Sequence, residues 1–268
     1  MSRASWLTRP IKGVLLDITG VIYNTTTTDV LPITGSVEAI KRLKDASIPI
    51  RFCTNETQLS QQKIFERLQS IGIPLEVNQV FSPVPAAQKY LQQHNLRPYV
   101  IVHEKVKGEF NHFKPENDPD CVLIGDATDN FSYQNMDEAF RVLLKNPKLI
   151  AMGYGRYYKE NDDLYLDVGS YSKVLEFATG VEPIIIGKPS KTYFTMAVQD
   201  MGLKNEECIM VGDDIFGDVE GAQKAGLRGL QVRTGKYRPS DEPHPQVKPD
   251  GYVDNLAQAV DLLLNHQQ

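Results

Sequence analysis

Four short polar stretches hold the side chains best suited to chemistry. They are Asp17-Ile18-Thr19-Gly20, Thr54-Asn55, Gly187-Lys188-Pro189 and Gly212-Asp213-Asp214, the last followed by Asp218. Moving a phosphoryl group takes a nucleophile in line with the leaving group, cations that balance the equatorial oxygens, and donors that fix those oxygens. The set supplies that inventory. Asp17 offers a nucleophilic carboxylate, Asp213 with Asp214 and Asp218 a second acidic cluster, Lys188 a cation, and Thr54 a hydroxyl. Mg²⁺ prefers one or two carboxylates plus water and phosphate oxygens, which suits such a cluster.

Each piece alone has a plainer reading. An aspartate after a strand caps the following turn. Thr-Asn is ordinary turn chemistry, and Gly-Lys-Pro is an ordinary loop with an exposed lysine. Acids at the start of a helix suit its dipole. Only the ordered combination points to phosphoryl transfer.

The elements that must position these groups follow from hydrophobic runs. Val14–Leu16, Ile50–Cys53, Ile184–Ile186 and Ile209–Val211 are short apolar segments, and each runs directly into one of the four polar stretches. Further strands are expected at Tyr99–His103, Cys121–Ile124, Leu149–Gly153, Leu164–Val168 and Leu230–Val232. Helical faces appear at Val37, Ile40 and Leu43, at Ile64, Leu68 and Ile71, over Ser132–Lys145, at Phe194, Ala197 and Val198, over Val219–Ala225, and at Leu256, Val260 and Leu263. Alternation of this kind implies an α/β fold with a parallel sheet covered on both faces. In such sheets ligands bind at the carboxyl ends of the strands, where all four motifs fall. Two motifs precede the middle of the chain and two follow it. The expected organisation is a Rossmann-like core, residues 1–82 and 184–268, interrupted by an inserted α/β domain at 83–183.

With these residues in place, the chain resembles the haloacid dehalogenase superfamily of aspartate-nucleophile phosphatases. The resemblance spans nearly the whole chain, through GVLLDITGVIY, RFCTNE, GRYYKE, GKPS, MVGDDIFGDV and QVRTGKYRPSDE. It implies that the insert is a C2-type cap. It implies that Asp17 forms an aspartyl-phosphate, and that Asp17, Asp213 and the Thr19 backbone oxygen hold Mg²⁺. It also implies that Ile18, Thr19, Thr54, Asn55 and Lys188 contact the substrate, while Asp214 and Asp218 support the metal. Many superfamily phosphatases carry a second aspartate two residues after the nucleophile, as general acid and base. Here that place is Thr19. Leaving groups that need little acid help are therefore expected, and the resemblance implies pyrophosphate and the P–N bonds of phosphohistidine and phospholysine as substrates. A small-metabolite phosphomonoesterase on the same machinery, and a non-catalytic scaffold that keeps the fold, are the alternatives. Substrate-selecting residues on the cap are expected among Tyr133, Asn135, Arg156 and Tyr157, and the resemblance implies a homodimer.

Composition narrows the partners. The 268 residues carry a formal charge of −5, which argues against a nucleic-acid partner. No run approaches a membrane span, and the N-terminus lacks a signal-like apolar stretch, so no membrane partner is expected. Three cysteines in apolar surroundings suggest reduced, buried thiols and a cytoplasmic protein, with nuclear entry left open. The five histidines show no metal-ligand spacing, and neither a dinucleotide-binding glycine fingerprint nor a P-loop is present.

Overall fold

The computed structural model describes residues 5–25, 29–115, 118–160 and 163–267. Two parallel sheets organise it. The larger has six strands in the spatial order Gly251–Val253, Arg228–Val232, Cys208–Gly212, Gly13–Asp17, Ile50–Cys53 and Val80–Phe81. Every neighbouring pair is parallel, with Leu16 opposite both Val211 and Phe52. The Gly13–Asp17 and Cys208–Gly212 strands are buried along their whole length, as expected of strands covered on both faces.

The two faces are distinct layers. On one, Leu16, Phe52 and Val211 pack under helices Ser36–Asp45, Gln61–Ser70 and Leu256–Gln267 through Ile40, Leu43, Ile64, Leu68 and Val260. On the other, Leu15 and Met210 pack against Phe194, Ala197 and Val198 of helix Lys191–Gln199. Phe194 is wholly buried, so truncation to alanine would cost about 3–5 kcal/mol. Cys53, Cys121 and Cys208 are free and buried. Burial pushes the Cys53 thiol up to about 12, so it is a packing residue and not a nucleophile.

The smaller sheet contains Ile184–Ile185, Leu149–Ala151, Cys121–Ile124 and Pro98–Ile101, again all parallel. Ile184–Ile185, expected among the core strands, pairs instead with Leu149–Ala151. Its apolar character fits either sheet, and only the pairing partner decides. The Leu164–Val168 run is also split. Asp163–Leu166 forms an antiparallel hairpin with Tyr157–Glu160, and Val168 opens helix Val168–Thr179 with Asp167 as its cap. Among the described residues no helix is long and apolar enough to cross a membrane.

Candidate active site

Three of the four motifs leave the carboxyl edge of the six-stranded sheet, after Asp17, Cys53 and Gly212. The fourth, Gly187-Lys188, arrives from the edge strand of the smaller sheet. Its side chain completes the site. The buried Lys188 ammonium contacts Asp17 Oδ1 at 2.5 Å and Asp218 Oδ1 at 2.7 Å. Burial alone would lower the affinity of Lys188 for its proton. Asp17 and Asp218 overcome that and raise it, so the side chain stays charged.

Asn55 explains how Lys188 is held. Its amide Nδ2 donates to the Lys188 carbonyl at 2.8 Å, and its Oδ1 accepts from the Lys188 N–H at 2.8 Å. This two-bond clamp joins the loop of the large sheet to the loop of the small one. Gly187, at φ +137°, turns into it with no room for a side chain, since a Cβ would sit 2.8 Å from Asn55 Oδ1. Thr54, also buried, has its hydroxyl accepting from Glu56 N–H at 3.0 Å. Thr19 is exposed at the mouth and hydrogen-bonds with Tyr23.

The acidic cluster divides by role. Asp213 Oδ2 accepts from the Lys236 N–H at 2.7 Å, while Oδ1 is buried with no hydrogen-bond partner among the described residues. Burial, reinforced by the neighbouring Asp17 charge, pushes the Asp213 carboxyl well up. Burial also raises Asp218, to about 7, despite the Lys188 ammonium beside it. One oxygen from each of Asp17, Asp213 and Asp218 lies within 4.8 Å of the others, and all three residues are buried. A carboxylate oxygen orphaned in such a cluster fits a divalent cation. Asp214 is different. Its Oδ1 caps the N–H groups of Phe216 and Gly217 at 3.1 and 2.9 Å, and its Oδ2 lies 3.1 Å from Lys236 Nζ. Burial would raise Asp214, but Lys236 and the Gly217 N–H win and lower it to about 2.

Three residues of the site have roles that the four motifs do not reveal, and two of them, Gly235 and Lys236, lie outside those motifs. Gly20, at φ +89°, and Gly235, at φ +63°, pack against Asp213 so closely that a Cβ on either would lie 2.0 or 1.9 Å from Oδ2. Lys236 follows, raised because Asp214 and Asp213 outweigh its burial. The available signal is position, because Thr234-Gly235-Lys236 leaves the carboxyl end of the Arg228–Val232 strand, the same edge as the motifs.

The cap candidates separate too. Tyr133 is 84% exposed, and Asn135 is spent on the Asn130 carbonyl and the Tyr99 hydroxyl. Arg156 and Tyr157 instead meet the large-sheet loops: Arg156 Cζ lies 4.9 Å from the Phe216 ring, and Tyr157 hydrogen-bonds with Arg238.

Comparison with known proteins agrees with this geometry. Residues 14–114 match the family model for haloacid dehalogenase-like hydrolases, and residues 185–259 match one described as HAD-hydrolase-like. The chain therefore belongs to the haloacid dehalogenase-like hydrolases, and within them it is a phosphatase. Among its relatives, the rat phospholysine phosphohistidine inorganic pyrophosphate phosphatase is 52% identical over 267 residues, covering 98% of each chain. The bovine protein of the same name is 54% identical, covering 96% of this chain and 95% of its own. In structure, a p-nitrophenyl phosphatase from Archaeoglobus fulgidus superposes with a TM-score of 0.83 at 26% identity, covering 94% of this chain and 99% of that one. A glycerol phosphate phosphatase from Mycobacterium tuberculosis, crystallised with magnesium, shares the fold at 23% identity and a TM-score of 0.79, covering 92% and 76%.

Proposed function

We propose that the protein is a Mg²⁺-dependent phosphatase that hydrolyses inorganic pyrophosphate and the P–N bonds of phosphohistidine and phospholysine, free or on proteins. The observation that carries the reading is Lys188 held between Asp17 and Asp218, beside the orphaned oxygen of Asp213. An Asp17 oxygen attacks phosphorus while the bond to the leaving group breaks, giving an aspartyl-phosphate. Water then attacks the same phosphorus, releasing phosphate and restoring the carboxylate. Asp17, Asp213 and the Thr19 backbone oxygen would hold Mg²⁺, with Asp214 and Asp218 supporting them. When bound, the ion would supply positive charge to the phosphoryl oxygens. Lys188 neutralises charge on the nucleophile and the transferred group. Thr54, the backbone of Ile18 and Thr19, and that near Asn55 bind phosphoryl oxygens.

The substrate preference rests on Thr19, which offers no carboxylic acid to protonate a leaving group. A phosphoramidate can leave from an already protonated nitrogen, and pyrophosphate leaves as phosphate. The names of the relatives support the same choice. We also propose a homodimer formed through the smaller-sheet region, because Leu164, Leu166, Val174 and Phe177 stand exposed there, Phe177 at 92%. The cytoplasm and nucleus are its proposed compartments, in keeping with three free thiols.

Phosphate release from pyrophosphate, phosphohistidine, phospholysine and an alkyl phosphate, with Mg²⁺ and with EDTA, tests the proposal. Mg²⁺-dependent preference for the first three is expected. An alkyl phosphate turned over with equal kcat/KM would favour a general phosphomonoesterase, the reading suggested by the 4-nitrophenyl and glycerol phosphate phosphatases that share the fold.

A further inference from the structure

Arg156 and Arg238 differ from the arginines held in ion pairs and from Arg228, which donates to four backbone carbonyls. Arg42, Arg51, Arg141 and Arg233 each pair with a carboxylate. Arg156 and Arg238 have no carboxylate partner among the described residues and lie on aromatic rings instead. Their guanidinium carbons are 5.7 and 4.9 Å from the Tyr157 ring centroid, and Arg238 Nη2 also donates to the Tyr157 hydroxyl. Arg156 rests on Phe216 as well, at 4.9 Å. Stacking fixes a guanidinium without neutralising it and leaves its in-plane N–H groups for an anion.

The position of this pair is informative. Phe216 N–H is capped by Asp214, whose other oxygen holds Lys236, and Arg238 follows Lys236 by two residues. A line of cations thus runs outward from the acidic cluster along the seam between the large-sheet loops and strand Tyr157–Glu160. Lys236 is shared with Asp214 and with the nearby Asp167, whereas the two arginines have no carboxylate partner among the described residues.

Charge bookkeeping gives the line a purpose. The inner set has four carboxylates, Asp17, Asp213, Asp214 and Asp218, against two ammonium groups, Lys188 and Lys236. One divalent cation cancels the difference. Any phosphate substrate then adds negative charge that the inner set does not balance, and a second phosphate adds more of it farther out.

We propose that Arg156 and Arg238, with Lys236 behind them, form an anion subsite for the leaving-group phosphate of a condensed phosphate. The inference rests on the phosphatase reading above and deepens it. As Asp17 bonds to the attacked phosphorus, the bridging P–O bond breaks and its electron pair stays on the departing phosphate, which the guanidinium groups stabilise.

The test compares wild type with Arg156→Gln, Arg238→Gln and the double variant, in Mg²⁺, on pyrophosphate, tripolyphosphate and 4-nitrophenyl phosphate. The double variant should lose about 100-fold or more in kcat/KM on both condensed phosphates, and less than about tenfold on the aryl phosphate, which has no second phosphate. Imidodiphosphate binding by calorimetry should weaken about tenfold or more, and orthophosphate binding by less than about threefold. Lysine at both positions should restore only a minor part of the loss, because it returns charge without the planar fork. Equal losses on all three substrates would overturn the subsite and leave the arginines as seam packing. If wild type cleaves the aryl phosphate and not pyrophosphate, the pyrophosphate reading fails on its own account. Imidodiphosphate binding then decides the subsite, with unchanged affinity in the double variant overturning it.

Discussion

The floor of the site and the outer face of the smaller-sheet region are built by opposite rules. On the floor, Asp17, Thr54, Lys188, Asp213 and Asp218 are all buried, and each has at least one fixed polar contact. On the outer face, Leu164, Leu166, Val174 and Phe177 are exposed, and Tyr133 stands clear of everything. The floor is a preorganised charge arrangement, in which a small displacement is expensive. The face leaves large apolar side chains exposed, and the dimer proposed above would cover them. Variants that act on the chemistry should cluster on the first region, and variants that act on assembly on the second.

The sharpest way to break that contrast is Asp17→Asn. Activity should fall by about 10⁴-fold or more with the fold intact, read as phosphate release beside circular dichroism. A residual rate within tenfold of wild type would remove Asp17 as nucleophile. Gly235→Ala comes next. Its methyl group would collide with Asp213 Oδ2, so about 100-fold loss in kcat is expected. Retained activity would mean that Asp213 is not held by this contact.

A third measurement concerns pH. Asp218 is raised to about 7 by burial, so the fold binds a proton there that the unfolded chain releases near 3.8. Such a group stabilises the fold at low pH and loses that contribution as pH rises from about 4 through about 7. Asp213, raised in the same way, adds to the trend. In EDTA the thermal midpoint should therefore fall between pH 5 and pH 8. The gain on adding Mg²⁺ should grow over the same range, as the carboxylates ionise. A midpoint in EDTA that rises with pH would show that the cluster is not desolvated as described. On the outer face, Phe177→Glu should shift sedimentation from dimer to monomer while leaving the turnover of monomeric sites within about twofold. The smallest effect belongs to Tyr133→Ala, expected within about 0.5 kcal/mol in stability. It should leave kcat/KM unchanged on every substrate.

Much of the floor was legible because its residues sit where sheet geometry requires. Asp17, Thr54 and Asp213 each follow a buried run, and a parallel sheet gathers such ends at one edge. Partnership was less legible. Ile184–Ile186 reads as a strand, yet nothing in an apolar run names its neighbour, and Ile184–Ile185 pairs in the smaller sheet. Asn55 announces a turn, but its side chain spends both polar atoms on the Lys188 backbone, a contact across 133 positions. Helix Val168–Thr179 was hidden because apolar residues at 164, 166 and 168 alternate like a strand until Asp167 caps the turn. Gly20 and Gly235 are visible only once Asp213 is placed between them.

The Asn55 clamp also bears on how such a protein can be rebuilt. Gly187 lies beside Pro83 as well as Asn55, with 3.3 Å from its would-be Cβ to the Pro83 ring, so the chain leaves for the smaller sheet and returns at neighbouring points. A segment whose ends meet can be lengthened or exchanged without disturbing the frame that carries it. Here the returning strand delivers Lys188 itself. A transplanted segment would therefore have to present two backbone groups to Asn55 in the same register, or the graft would fold and arrive without the Lys188 ammonium between Asp17 and Asp218.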